Sequence, residues 1–183
     1  LADALALLKT NRALSLPYAY TFIDRFCIGV VISSFVLYLG SVHNMDPDAR
    51  SRLLAMFLIP FAVLVYPAGR LVDRIGSTIP LVAGSVGFGV VSGVLSALMF
   101  APTLALCVEL GPSTQRGAAF AGFNVAGSLG FVCGPLVGGV VCQLLESPLG
   151  LEGAYRATFI VAGLAEVSCA ILTAPYLIAW GRK

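Results

Sequence analysis

The chain has 183 residues, 58% of them hydrophobic and only 11% charged, with a mean hydropathy of +0.95. Such values exclude a soluble globular domain and define an integral membrane protein whose first partner is the lipid bilayer. The formal net charge of +2 comes from basic residues scattered singly at the ends of apolar runs, which excludes a nucleic-acid partner and makes the charges markers of topology.

A spanning helix needs ~20 apolar residues, because the hydrocarbon layer is ~30 Å thick and each helical residue rises ~1.5 Å. The chain therefore has room for five or six spans. Residues 1–16 form an amphipathic cytoplasmic lead-in carrying Lys9 and Arg12, and residues 17–183 form the transmembrane bundle. The first span is expected from about Tyr18 to Ser41, with Asp24 and Arg25 in its first two turns. That pair is either a polar site or an interfacial pair whose arginine reaches back to water. A polar loop from His43 to Arg52 follows, where Asp46-Pro47-Asp48 offers a turn and a helix start. The second span runs from Leu53 to Ala68 and leads into a charged turn, Gly69-Arg70-Leu71-Val72-Asp73-Arg74-Ile75-Gly76.

The third apolar segment, residues 79–108, holds roughly 30 residues where two spans would need ~40. Within it Ser85, Gly89, Gly93, Ala97, Ala101 and Ala105 recur every four residues, a small-residue stripe on one continuous helix from about Gly87 to Val108. Cytoplasmic loops collect Lys and Arg, so the eleven basic residues discriminate between topologies. If residues 79–108 cross an even number of times, eight lie inside (Lys9, Arg12, Arg25, Arg70, Arg74, Arg116, Arg182, Lys183) and three outside (Arg50, Arg52, Arg156). A single crossing gives six against five. The charges thus favour an even number, and the short segment reads as compressed by a deletion.

A loop at Glu109–Gly117 precedes a span from Ala118 to about Leu145, and a second loop, Glu146 to Arg156, precedes the last span, Ala157 to Trp180. In the former, Ala118, Gly122, Ala126, Gly130, Gly134 and Gly138 repeat every four residues, a face that lets two backbones approach closely. Pro135 removes one helical hydrogen bond and invites a kink. Asn124 and Ser128 add polar groups one turn apart, fit for interhelical hydrogen bonding or a polar site. Glu166 falls near the middle of the last span, where a carboxylate costs ~2.5–3.5 kcal/mol on insertion scales. It either binds a proton or cationic substrate, or makes one structural interhelical hydrogen bond in its protonated form. The five cysteines lie in apolar surroundings without metal-ligand spacing, and no metal or cofactor is expected. The chain begins at Leu1 without the features of a signal peptide, as expected of a fragment.

Two motifs carry a family resemblance. The spacing G-x-x-x-D-R-x-G over Gly69, Asp73, Arg74 and Gly76 resembles the signature loop of the major facilitator superfamily of transporters. The pattern G-x-x-x-G-P-x-x-G-G over Gly130, Gly134, Pro135, Gly138 and Gly139 resembles that family's helix-five motif, best known in proton-driven antiporters. The resemblance implies an all-α polytopic helix bundle, one six-helix half of a twelve-helix transporter, built of two inverted three-helix repeats. It also implies conformational switching through Gly69, Arg70, Asp73, Arg74 and Gly76, by a charge relay weakened here because Ser77 and Thr78 replace the usual basic pair. Ala121 replaces the first glycine of the antiporter form, and the stretch from Val86 to Ala97 lacks the arginine that the family's fourth span carries.

The function expected is secondary active transport of a small organic solute, as a proton-coupled efflux antiporter of the plasma membrane with both termini cytoplasmic. Glu166, Asp24, Arg25 and Asn124 are its substrate or proton candidates. Such a chain needs a second transporter half, a homodimer or a longer parent. The alternative is a truncated remnant or membrane interaction protein that does not transport, favoured by the short third segment and the missing arginine. An enzyme fares worst, because no histidine, paired acid or nucleophile constellation lies within the spans.

Overall fold

The computed structural model describes residues 2–75 and 92–180. Among them every regular element is a helix: α1 (Ala2–Thr10), a 3-10 turn (Arg12–Leu14), α2 (Ser15–Ser41), α3 (Pro47–Ile75), α4 (Ser92–Leu110), a second 3-10 turn (Ser113–Gln115) and α5 (Arg116–Trp180). Pro17 is tolerated in the first turn of α2, where the missing N–H would have no helical partner. In the connection after that helix, Asn44 adopts a positive φ of 50°, a conformation that asparagine accepts more readily than most residues.

The stretches Arg12–Ser41 and Ser113–Ala179 are each long and apolar enough to cross a membrane. The second, at 67 residues, would extend about 100 Å if straight, several times one hydrocarbon layer. It does not run straight. Gly150 takes φ 70° and ψ 168°, which residues with a Cβ avoid, and divides α5 into a first arm (116–149) and a second arm (151–180). The loop expected at 146–156 is thus reduced to a glycine reversal after Pro148, with helix resuming at once and an Arg156–Glu152 ion pair one turn along.

The two arms clasp α2. Along the first arm, Gly122, Gly130 and Gly138 meet Tyr18, Phe22 and Ser34 in rising order, so this arm runs parallel to α2. Along the second, Thr173, Ala162 and Tyr155 meet Tyr20, Cys27 and Tyr38 in falling order, so that arm is antiparallel. Helix α4 packs outside, with Cys107 and Leu110 level with Tyr18 and Leu14, and Phe100 level with Arg25. An aromatic group of Tyr38, His43, Tyr155 and Phe159 closes the end of the clasp near Gly150.

The distribution of polarity is the reverse of that in a soluble protein. Outward positions carry Met56, Ile59, Val63 and Tyr66 on α3, Leu136 and Leu144 on the first arm, and Leu164 and Leu172 on the second. Thr21, Asp24, Ser34, Thr158 and Glu166 are buried. Lipid removes the penalty for exposing leucine and imposes one on exposing a carboxylate. The bundle is a membrane helix bundle.

Two expectations differ at α3. The helix begins at Pro47 and continues to Ile75, so Gly69 to Ile75 extend a helix rather than forming a turn. Arg70 lies over the Tyr66 ring, one helical turn back, at 4.9 Å, a contact that favours helix here. Gly76, residues 79–91 of the third segment, Arg182 and Lys183 lie outside the described residues.

The lead-in is docked onto the bundle. Leu7 is buried in the same cluster as Leu14, Leu110 and Leu177, and the Asn11 side-chain amide donates to the carbonyl oxygen of Leu110 at 2.7 Å. The start of α2, the end of α4, the start of α5 and the end of its second arm therefore meet at one end of the bundle. Arg116 thus shares an end with Lys9 and Arg12, as in the eight-to-three charge arrangement. Compartment-sensitive reporters placed in the 111–115 connection and at the end of α5 are expected to read the same side as one at the lead-in. Opposite readings from the first two would contradict the packing of Leu177 against Leu110.

Candidate functional site

Successive residues on a helix point about 100° apart, so neighbours on α2 can serve different partners. Tyr20, Asp24 and Cys27 face the second arm. There the Thr173 and Tyr20 hydroxyls lie 2.7 Å apart in a hydrogen bond, and Thr173 also donates to the carbonyl oxygen of Cys169 at 2.6 Å. The Cys27 thiol donates to the carbonyl oxygen of Ala162 at 3.1 Å. Glu166, one turn beyond Ala162, is 0% exposed, and its carboxyl lies beside the Cys27 thiol. Asp24 is buried too, near enough to act electrostatically on the same thiol. Its Oδ1 accepts no hydrogen bond among the described residues. The sequence candidates Asp24 and Glu166 thus share one buried polar seam.

Thr21 and Arg25 face α4 and the first arm. The Arg25 Nε lies 3.7 Å from Asp24 Oδ2, and the guanidinium sits 4.6 Å from the centre of the Phe100 ring. Together with Phe123, Asn124 and Ser128 these residues line a cavity of about 390 Å³. The sequence candidates Arg25 and Asn124 meet here, away from the seam, and Arg25 is linked to the seam through Asp24. Gly127 lies at the cavity wall, where an added Cβ would come within 3.1 Å of Thr21 Oγ1 and 3.3 Å of Arg25 Cγ. Its lack of a side chain leaves space for the arginine stem.

The helix-five motif sits at the crossing of α2 and the first arm. A Cβ on Gly130 would collide with the Phe22 carbonyl oxygen, and one on Gly134 with that of Phe26. Gly138 is less tight, 3.3 Å from Ser34 Oγ. Gly139 faces open space. The reciprocal glycine, Gly29 on α2, would place a Cβ 3.0 Å from Pro135 Cδ and 3.5 Å from Gly134 Cα. Of the signature residues, Arg70, Asp73 and Arg74 are exposed on α3, outside both the seam and the cavity.

Sequence reading missed Gly29, Tyr20, Thr21 and the phenylalanines. A lone glycine and isolated aromatics in an apolar run carry no signal, because their role is conferred by the facing helix. Thr21 had one available clue, its position one turn from Arg25.

The profile of the Major Facilitator Superfamily matches residues 86–181, just over half of the chain. The chain belongs to this superfamily. A probable actinorhodin transporter of Streptomyces coelicolor is 32% identical over 183 aligned positions, covering 81% of this chain and 31% of the relative. The chain therefore spans less than a third of that relative's length. No solved structure matches.

Within this superfamily chain the tight crossing makes a direct prediction. Gly130→Ala and Gly134→Ala should each cost about 1–3 kcal/mol from overpacking, lowering the midpoint of thermal unfolding by roughly 2–10 °C. Gly139→Ala, with nothing for its Cβ to meet, should leave it unchanged or raise it slightly. The buried free thiols Cys27, Cys107 and Cys169 supply the readout through a thiol-reactive fluorophore. Equal midpoints for all three variants would mean that α2 and α5 are not in backbone contact.

Proposed function

We propose that this chain forms the first six-helix half of a secondary active transporter that moves a small organic solute out across the plasma membrane, coupled to protons, with both termini in the cytoplasm. Residues 1–16 are its cytoplasmic lead-in and 17–183 its transmembrane unit. The observation that carries the reading is the placement of two carboxyl groups, Asp24 and Glu166, buried on facing helices of a superfamily member. Buried carboxyls are expensive in a membrane and can gain and lose a proton there, which suits them to carry the coupling ion. The relative named as a transporter supports transport.

The remaining parts have roles in the cycle. Asp24 touches Arg25 at the cavity wall, so a proton gained or lost in the seam changes the charge balance where solute would bind. The glycine crossing at Gly130, Gly134 and Gly138, where Pro135 removes one helical hydrogen bond, is the hinge about which the first arm rocks on α2. Gly69, Arg70, Asp73, Arg74 and Gly76 form the switching element that steadies one access state through charge contacts at the membrane surface. A second half, supplied by a longer parent chain, a homodimer or another protein, completes the path between halves.

Membrane vesicles from cells making the protein test this directly. A proton gradient should accelerate loss of a loaded solute panel, and Asp24→Asn or Glu166→Gln should cut the gradient-driven part by at least about tenfold while the folded amount is unchanged. Rates that ignore the gradient would remove proton coupling. Folded protein with no transport of any solute would favour the alternative, a remnant that interacts in the membrane without cycling.

A further inference from the structure

Resting on the transporter reading, we infer that the cavity between α2, α4 and the first arm of α5 binds a small aromatic anion, with Arg25 and Asn124 holding the anionic group. Among the described residues, every polar side chain at its wall can donate a hydrogen bond: the Arg25 guanidinium, the Asn124 amide and the hydroxyls of Thr21 and Ser128. Arg25 is the only charged residue among the described residues lining it. A site built of donors with one fixed cation selects acceptors and anions.

The geometry leaves these donors available. Asp24 Oδ2 lies 3.7 Å from Arg25 Nε, beyond hydrogen-bond length, and among the described residues no hydrogen bond engages the two terminal nitrogens of the guanidinium, which can form a fork on a carboxylate. Asn124 Nδ2 donates one hydrogen to the Phe120 carbonyl oxygen at 3.0 Å and retains the second. Gly127 clears the stem of Arg25, whose Cγ would otherwise meet a side chain at 3.3 Å.

The apolar part of the wall specifies the rest of the ligand. Phe100 and Phe123 have ring centres 6.3 Å apart, inclined by 59°, and Phe131 lines the same space. Inclined rings at this separation accept the edge or face of a further aromatic ring. The guanidinium over Phe100 fixes where charge ends and ring surface begins. A volume of about 390 Å³ accommodates two or three fused rings bearing one carboxylate.

The test uses the full chain in lipid nanodiscs, with 2-naphthoate as the anion, 2-naphthalenemethanol as its neutral match and 2-naphthylmethylammonium as the cation. Naphthoate should bind at least about tenfold more tightly than either, the worth of one charge-assisted hydrogen-bond pair. Arg25→Gln should abolish that preference while leaving the alcohol's affinity within about twofold, and Arg25→Lys should retain part of it. Asn124→Ala and Ser128→Ala should each weaken naphthoate by about three- to tenfold. Equal binding of the three probes, preference for the cation, or no saturable binding would overturn the assignment. So would parallel loss of anion and alcohol in folded Arg25→Gln. If Arg25→Gln does not fold, unchanged naphthoate affinity in both Asn124→Ala and Ser128→Ala overturns it. Transport in vesicles without naphthoate preference would sink this assignment alone, whereas naphthoate binding without any transport would sink the transporter reading and keep the site.

Discussion

Everything in this bundle depends on how closely α2 and the first arm of α5 approach at Gly29 and Gly134. Lipid gives apolar side chains no reason to leave it, so helices in a bilayer associate through dispersion contacts and hydrogen bonds that require short separations. Glycines at 130, 134 and 138 provide that separation on one side and Gly29 on the other, with the Pro135 ring fitted against the latter. The parallel pairing of two spans far apart in sequence follows from this contact. So does the position of the second arm, which the Gly150 reversal returns along the remaining face of α2.

Because α2 is gripped from both sides, its polar residues are sorted by helical angle into two environments. Tyr20, Asp24 and Cys27 enter the seam with Glu166 and Thr173, while Thr21 and Arg25 enter the cavity with Asn124 and the phenylalanines. Asp24 and Arg25 are adjacent in sequence yet belong to different sites. Their contact is the shortest physical route between a buried acid and a solvent-reachable cation, and electrostatic effects along it are strong because little water lies between them.

The outer surface is dominated by large apolar side chains, on α3 and on both arms alike. In a bilayer such faces meet lipid or another transmembrane segment.

Much of this protein was determined by its sequence alone. Hydropathy dictated a membrane helix bundle, because backbone groups in hydrocarbon must be satisfied within the segment. The four-residue glycine period marked the packing face of α5, since i and i+4 share a side of a helix and no facing partner is needed to see it. Buried acids at 24 and 166 were visible as charges inside apolar runs. Only the tertiary structure decided which helix met that glycine face, because any small-residue stripe would be matched equally well by the sequence pattern. It also decided that Gly69 to Ile75 prolong α3 and that Gly150 alone reverses α5, since helix ends reflect local contacts and single φ angles rather than hydropathy. The separation of Asp24 from Arg25 and the meeting of Arg25 with Asn124 across a cavity arise from the angular setting of three helices, a property of their packing that no single span encodes.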